Sequence, residues 1–148
     1  MYHHICIPTD GSPLSDHAID QALELARTLR ARVTVLCVTQ PYHVFAVTPE
    51  QMIAVRDDYE REAREMARSH LRTVEARAHA LSVPCDSVVI EDEFPYEAII
   101  AIAHERGCDL IAMASHGRRG IKALLLGSET LKVLTHSTIP VLVYRQPA

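Results

Sequence analysis

The 148-residue chain lacks several features that would place it in a specialised class of protein. No apolar run approaches the roughly 20 residues that a transmembrane helix requires, so we expect no association with a membrane. Fifteen basic side chains against 19 acidic ones, a net charge of −4, argue against a nucleic-acid-binding surface. The four cysteines lie far apart without C-x-x-C spacing, which favours buried thiols in a reducing compartment, with a disulfide or metal role as the alternative.

The first residues run directly into an apolar segment, which predicts no signal peptide and a cytoplasmic location. The length and the 48% hydrophobic content predict one folded domain over residues 1–148. Nine histidines are many for this length, but they show no metal-ligand spacing. His70 and His79, about 2.5 turns apart on one predicted helix, face opposite ways. We therefore interpret the histidines as surface residues without a common role and predict no metal site.

Apolar runs and helical patterns alternate along the chain. They predict strands over residues 4–7, 33–38, 87–90, 110–114 and 141–144, and helices over about 12–30, 50–81, 95–107 and 129–136. Five buried strands alternating with four helices indicate a doubly wound α/β fold, a parallel sheet with helices on both faces. The long second helix is predicted to pack through one apolar stripe: Ala54, Tyr59, Ala63, Met66, Ala67, Leu71, Val74 and Ala78.

The segment between the fourth strand and the last helix is the most informative part of the sequence. Three of only five glycines lie in it, and Gly127-Ser128 immediately precedes the helix, with Ser128 predicted as its N-cap. Free N–H groups and the positive end of a helix dipole make such a turn suitable for a phosphate. In doubly wound folds ligands bind at the carboxyl ends of the strands. The predicted rim of the site is Pro8, Thr9, Asp10, Met113, Ala114, His116 and Gly117.

Several short motifs occur in a fixed order along the chain. They are Ile7-Pro8-Thr9-Asp10-Gly11-Ser12, Cys108-Asp109-Leu110-Ile111-Ala112-Met113, Ser115-His116-Gly117 followed after nine residues by Gly127-Ser128, and Ile139-Pro140-Val141-Leu142-Val143. With these motifs the chain resembles the universal stress protein family over nearly its whole length. The resemblance implies a Rossmann-like fold related to adenine nucleotide α-hydrolases, with the strand order 3-2-1-4-5. It also implies a homodimer formed through the last strand.

In many members of that family ATP binds at the glycine loop, so the resemblance implies ATP, with Mg²⁺, as a ligand. Carried over to this chain, Asp10 and Val38 would meet the adenine side, and Ala114 would lie by the ribose. The phosphates would be held by Gly117, Gly127, Ser128 and Thr130. The groups expected to bind them are the N–H groups of Gly117, Gly127 and Ser128 and the hydroxyls of Ser128 and Thr130.

Two residues depart from the family motif. Ala114 replaces its first glycine, and the methyl group points either into the ligand space or back into the strand. Glu129 suits the helix dipole but would repel a bound phosphate, by at most roughly 4 kcal/mol at about 4 Å and an effective dielectric near 20. Arg118, Arg119 and Lys122 can offset that repulsion. We therefore predict weaker nucleotide binding than in a relative with the full motif.

Three classes of function are compatible with these patterns. The favoured one is a nucleotide-binding regulatory protein, and the second is a ligand-free dimeric adaptor whose protein partners are unknown. An enzyme is disfavoured, because the chain has neither a Ser-Gly-Gly-x-Asp-Ser pyrophosphate loop nor a Walker loop, and Ser15-Asp16-His17 cannot converge on one helix. We expect at most slow ATP hydrolysis. The apolar last strand, with Val141 and Val143, would leave an exposed edge, which favours the dimer.

Overall fold

Strands and helices alternate in a computed structural model that describes residues 1–42, 49–116 and 125–145, with residues 49–52 described through their backbone alone. Within these residues the strands are β1 (His4–Pro8), β2 (Arg32–Thr39), β3 (Cys85–Glu91), β4 (Leu110–Ala114) and β5 (Val141–Tyr144). The helices are α1 (Pro13–Leu29), α2 (Pro49–Ala80), α3 (Pro95–Glu105) and α4 (Ser128–His136). All strand pairs are parallel, in the order β3-β2-β1-β4-β5. The predicted doubly wound, Rossmann-like sheet is confirmed.

Local signals in the sequence account for the ends of α1. The Ser12 hydroxyl accepts the N–H of Ser15 at 3.2 Å, so this serine is the N-cap that the sequence predicts. The helix ends at Arg30, which adopts a left-handed conformation with φ of 56° and closes the last turn through its own N–H. The chain then enters β2 directly. Capping at both ends thus fixes the length of the crossover from β1 to β2.

The side chains of the sheet alternate between two apolar layers. Ile5, Val33 and Leu110 pack against α1 and α2, whereas the next residue along β1 and β4, Cys6 and Ile111, packs against α3 and α4. This period of two is the geometry of a strand that is buried on both faces. The position of a residue in β4 therefore decides which helix pair its side chain meets.

The predicted apolar stripe of α2 is correct only for the C-terminal half of the helix. Ala67, Leu71 and Val74 are buried, whereas Tyr59 and Met66 are 44% and 65% exposed. A helix of 32 residues is about 48 Å long, and the eight residues of β2 span only about 26 Å. Because α2 returns the chain from the end of β2 to the start of β3, its N-terminal half extends past the carboxyl edge of the sheet.

Two histidines contradict the surface interpretation. His4 is buried, and its Nε2 lies 2.7 Å from the Thr34 hydroxyl. His70, half-buried on α2, hydrogen-bonds to Thr9 beside the predicted ligand site. Among the cysteines, three are buried and Cys85 is half-buried. In the described part of the chain no helix is long and apolar enough to span a membrane, and no cluster of three metal-ligating side chains occurs.

Candidate functional site

The site lies where the direction of strand succession reverses. β1 and β4 are adjacent at the centre of the sheet, with Cys6 opposite Ile111, and the chain continues outward from them on opposite sides. Their carboxyl ends carry the loop after Pro8 and the segment 114–116. A crevice outside two such strands is where open α/β sheets bind ligands. The structure therefore brings the two predicted rims together.

The first rim is held by a buried hydrogen-bond network around Thr9. The Thr9 hydroxyl lies 2.6 Å from the Ser15 hydroxyl and 3.0 Å from His70 Nε2, and it also accepts the N–H of Gly11 at 3.2 Å. This side chain is buried and is fully occupied by protein partners. Thr9 shapes the loop rather than facing a ligand with its hydroxyl. The sequence did not predict the contacts of Ser15 and His70 with Thr9. Only the position of Ser15, three residues after the cap Ser12, indicated that its side chain could lie near this loop.

Asp10 occupies the exposed tip of the same rim. Its Oδ1 accepts the N–H of Ser12 at 2.9 Å, which turns the chain into α1. Val38, near the end of β2, is half-buried against the layer that contains α3 and α4, and Pro8 is half-buried at the end of β1. The Asp10 side chain and the apolar side chain of Val38 thus lie at the same edge of the sheet, one after β1 and the other near the end of β2.

The second rim closes on the start of α4, where the predicted N-cap is wrong. Gly127 is the N-cap, because its carbonyl accepts the first helical hydrogen bond from Leu131 N–H at 3.0 Å. Its own N–H donates to the carbonyl of Ser115 at 2.7 Å. A Cβ at Gly127 would lie 2.9 Å from His116 Cβ. Since φ of Gly127 is −61°, the glycine is required by close packing of two chain segments and not by an unusual backbone angle.

Two of the predicted phosphate donors already bind protein groups. The Gly127 N–H bonds to Ser115, and the buried Thr130 hydroxyl donates to the Ala114 carbonyl at 2.9 Å. Gly117 lies outside the described residues, as do Arg118, Arg119 and Lys122. What stays exposed is Ser128, the first residue of α4, where an N–H group has no partner inside the helix. The N-cap glycine supplies no side chain to bind it, so among residues 1–42, 49–116 and 125–145 no capping side chain stands between this end of α4 and an anion.

Glu129 points to another helix. Its Oε2 accepts the N–H of Tyr96, in the first turn of α3, at 2.9 Å, and its Oε1 lies 3.5 Å from Lys132 Nζ. The N-cap of α3 is Phe94, which has no side-chain acceptor, so Glu129 supplies the missing carboxylate from α4. With the Tyr96 N–H and the Lys132 cation beside it, this carboxylate would repel a phosphate less than the sequence predicts.

The structure also shows where Ala114 lies, the residue that replaces the first glycine of the motif. By the alternation along β4, its methyl group shares the face of Ala112 and Leu110, and the residue is only 9% exposed. Met113 is buried on the opposite face. The burial of Ala114 on the face of Ala112 favours the second of the two alternatives, a methyl group directed back into the strand.

Ser115 and His116 form a contact that resembles a nucleophile and its base. The Ser115 hydroxyl lies 3.2 Å from His116 Nδ1, but Ser115 is buried, so its oxygen is closed to a substrate. Its N–H donates to the Tyr144 carbonyl at 2.8 Å. Nearby, a hydrogen bond from the Tyr96 phenol to Glu97 raises the pKa of that phenol. The bonds of Ser115 orient the segment after β4, and its buried oxygen is not an exposed nucleophile.

Comparison with known proteins agrees with this architecture. The model of the Universal stress protein family matches residues 1–145. The chain belongs to that family. Universal stress protein YxiE of Bacillus subtilis is 30% identical over 98% of this chain and 100% of its own length.

Solved structures show the same fold. The protein MJ0577 of Methanocaldococcus jannaschii superposes with a TM-score of 0.83 at 25% identity, covering 100% of this chain and 99% of the other. A universal stress protein in complex with cAMP has a TM-score of 0.71 at 23% identity, with 97% of both chains covered. A family member of Arabidopsis thaliana with AMP bound has a TM-score of 0.67 at 17% identity, covering 99% of this chain and 93% of the other.

Proposed function

We propose that this chain is a single-domain cytoplasmic protein that binds an adenine nucleotide, with ATP and Mg²⁺ as the expected form, as a regulatory ligand in a stress response. The single observation that carries the proposal is the open N-terminus of α4 at the central edge of the sheet. Ser128 is exposed there, and its cap residue has no side chain. The cAMP-bound and AMP-bound neighbours support the choice of an adenine nucleotide.

In this proposal the phosphates meet the backbone N–H and the hydroxyl of Ser128. Asp10 and Val38 stand on the neighbouring strand ends, where the adenine and ribose would lie. The Thr9 network and the Thr130 hydroxyl keep the two rims in place. A charge-assisted bond from a helix N-terminus to phosphate is a strong one, so few donors are sufficient for binding.

A regulatory role fits the described residues better than catalysis does. Two hydroxyls at this edge of the described chain pair with an imidazole, Thr9 with His70 and Ser115 with His116, and both are buried. Asp10 is exposed, but its Oδ1 is engaged by the N–H of Ser12. A general base has to reach the attacking water at about 2.6–3.2 Å. We therefore propose slow hydrolysis at most.

A substitution at Ser128 tests the site. Ser128→Asp places a carboxylate in the first turn of α4, where the helix dipole stabilises it by about 0.3–1 kcal/mol, but the charge should exclude a phosphate. We expect the melting temperature without ligand to be unchanged or higher. ATP-Mg at about 100 times its dissociation constant should raise the melting temperature of the parent by roughly 5–10 °C. The melting temperature of the variant should not change on addition of ATP-Mg.

Ser128→Ala is the matched control, because it keeps the N–H group and should retain most of the ATP-dependent shift. AMP and cAMP in the same assay distinguish the form of nucleotide. If Ser128→Asp responds to ATP as the parent does, the phosphate does not lie at α4 and the proposed site is wrong. If the parent responds to no adenine nucleotide, the ligand-free adaptor becomes the better account.

We also propose a homodimer through β5. Leu131 and Leu134 on α4 and Leu142 on β5 are exposed, and α4 packs beside β5. By the register of β5 with β4, Leu142 faces the layer of α1 while α4 covers the opposite face. Apolar side chains thus flank the strand edge on both faces, as a symmetric strand pairing requires.

Light scattering tests the dimer. The parent should have twice the chain mass at micromolar concentration, and Leu142→Glu should shift it toward the monomer. Leu125→Glu, a change at another exposed leucine, is the control and should keep the parent mass. A monomeric parent would reject the proposed assembly.

A further inference from the structure

The sheet has a second open edge, at β3, which is far from the nucleotide site. Between this edge and α2 runs a groove of about 390 Å³, lined by Arg68, Leu71, Arg72, Ser87 and Val89. Leu71 is buried at its base, and both arginines are exposed at its wall. The groove therefore combines an apolar floor, a strand edge and positive charge.

The backbone of the edge can be assigned from its register. Val33 N–H donates to the Pro84 carbonyl, and Asp92 N–H donates to the Thr39 carbonyl. In a parallel pair alternate residues bond to the neighbour, so residues 84, 86, 88, 90 and 92 face β2. The N–H and C=O groups of Ser87 and Val89 then point outward into the groove. These are the groups that an additional strand would bind.

Three arginines follow one another on α2, and two of them, Arg68 and Arg72, line the groove. Arg64, Arg68 and Arg72 follow one another at four-residue spacing and are exposed, and none has a hydrogen bond or an ion pair within 4 Å among the described residues. In contrast, Arg61 pairs with Asp58 at 2.9 Å on the same helix. The carboxylate of Glu75, which follows Arg72 by three residues, accepts the Ser87 hydroxyl. The three arginines therefore form a positive stripe, in which Arg68 and Arg72 lie beside the strand edge and Arg64 continues the row one turn toward the overhanging part of α2.

The spacing of the stripe matches that of a strand. Four residues of helix advance about 6.0 Å, and two residues of strand advance about 6.6 Å. Side chains at alternate positions of an added strand share one face of the sheet, so they would meet Arg64, Arg68 and Arg72 in turn. Acidic residues at those positions would pair with all three guanidinium groups.

We propose that this groove binds an extended acidic peptide of a partner protein, which pairs with the outward groups of Ser87 and Val89 and places alternate carboxylates on the arginine stripe. The partner adds a strand at the β3 edge, while the proposed dimer uses the β5 edge. The two surfaces lie at opposite sides of the sheet, so binding at one leaves the other accessible. The proposal does not depend on nucleotide binding.

Fluorescence anisotropy with a labelled peptide of about ten residues, alternating threonine and glutamate, tests the groove in the full chain at about 0.15 M salt. The parent should bind the peptide, and the Arg68→Gln/Arg72→Gln variant should bind it roughly five- to tenfold more weakly. The Arg27→Gln/Arg61→Gln variant removes the same charge from two exposed arginines of helical ion pairs and should bind as the parent does. A peptide with glutamine for glutamate should lose affinity for the parent to a similar extent.

Amide hydrogen exchange separates strand addition from loose charge attraction. The N–H groups of Ser87 and Val89 should exchange more slowly when the peptide is bound. Unchanged exchange, or equal weakening by both arginine pairs, would overturn the proposal. So would single-stranded DNA that binds more tightly than the peptide and competes with it, because the stripe would then be a polyanion site. Self-association that is lost in Arg68→Gln/Arg72→Gln would assign the edge to a second copy of the chain.

Discussion

Glu129 offers the sharpest test of how the site is built, because its predicted and observed roles differ. As a neighbour of bound phosphate it should weaken ATP binding, whereas as an acceptor for Tyr96 N–H it should stabilise α3. Replacing Glu129 with alanine removes the carboxylate, and with it both the repulsion of phosphate and the bond to Tyr96 N–H. We expect Glu129→Ala to lower the stability of the fold and to leave the affinity for ATP-Mg within about twofold of the parent, since a shift of that size is under about 0.5 kcal/mol.

The magnitude follows from the contacts. A hydrogen bond to a charged group contributes about 1.5–3 kcal/mol, and the Glu129 side chain is 39% exposed, so solvent screening lowers the effect to about 1–2 kcal/mol. For a chain of this length the melting temperature should fall by roughly 2–8 °C. Glu129→Gln keeps an amide oxygen as acceptor and should lose only about half as much. The exposed pair with Lys132 adds little.

Calorimetric melting of the parent, the two variants and Glu62→Ala measures these effects. Glu62 is exposed on α2, and the same substitution there controls for the change in helix propensity. Amide exchange at Tyr96 should be faster in Glu129→Ala and unchanged in the control. Equal melting temperatures for Glu129→Ala and Glu62→Ala, together with ATP binding tightened by tenfold or more, would show that Glu129 acts on phosphate and not on α3.

Two further changes test the packing of the fold. Gly127→Ala should destabilise the protein by about 1–3 kcal/mol in urea unfolding, because the new methyl group meets His116 Cβ; a variant as stable as the parent would show that the two segments separate freely. Burial, and to a lesser extent Arg32, lower the pKa of His4 below 6.5, so the unfolded chain takes up the proton first and stability should fall as pH drops below about 6.5. His4→Asn should reduce that pH dependence between about pH 7.5 and 5.5, and an unchanged slope would place its origin elsewhere.

The sheet could be predicted because its signals are local. The alternation of apolar runs and helical patterns gave all five strands, and Ser12 and Pro95 marked two helix starts correctly. Family motifs supplied the strand order, which no local pattern contains. At α4 the sequence Gly127-Ser128 favoured a serine cap, but the bond from Gly127 N–H to Ser115 set the cap one residue earlier.

The contacts of the site were less predictable because they join residues far apart in the chain. The Glu129 carboxylate faces Tyr96, 33 residues away, and His70 meets Thr9 across 61 residues. No spacing rule relates such pairs. The periodicity of α2 failed for a different reason, since the apolar pattern continues past the end of the sheet, where Tyr59 contacts the ring of Tyr42 and stays 44% exposed.

The overhang of α2 divides one continuous helix into two parts with different anchoring. Buried contacts at Ala67, Leu71, Val74 and Ala78 hold the C-terminal part. Within the described chain, residues 53–66 have helical hydrogen bonds, surface ion pairs and the contact of Tyr59 with Tyr42. Isolated helical segments of that length are marginal in water. The first turns should therefore open and close without the rest of the molecule unfolding. A protease should cut before Met66 under native conditions, and the remaining chain should keep its sheet intact.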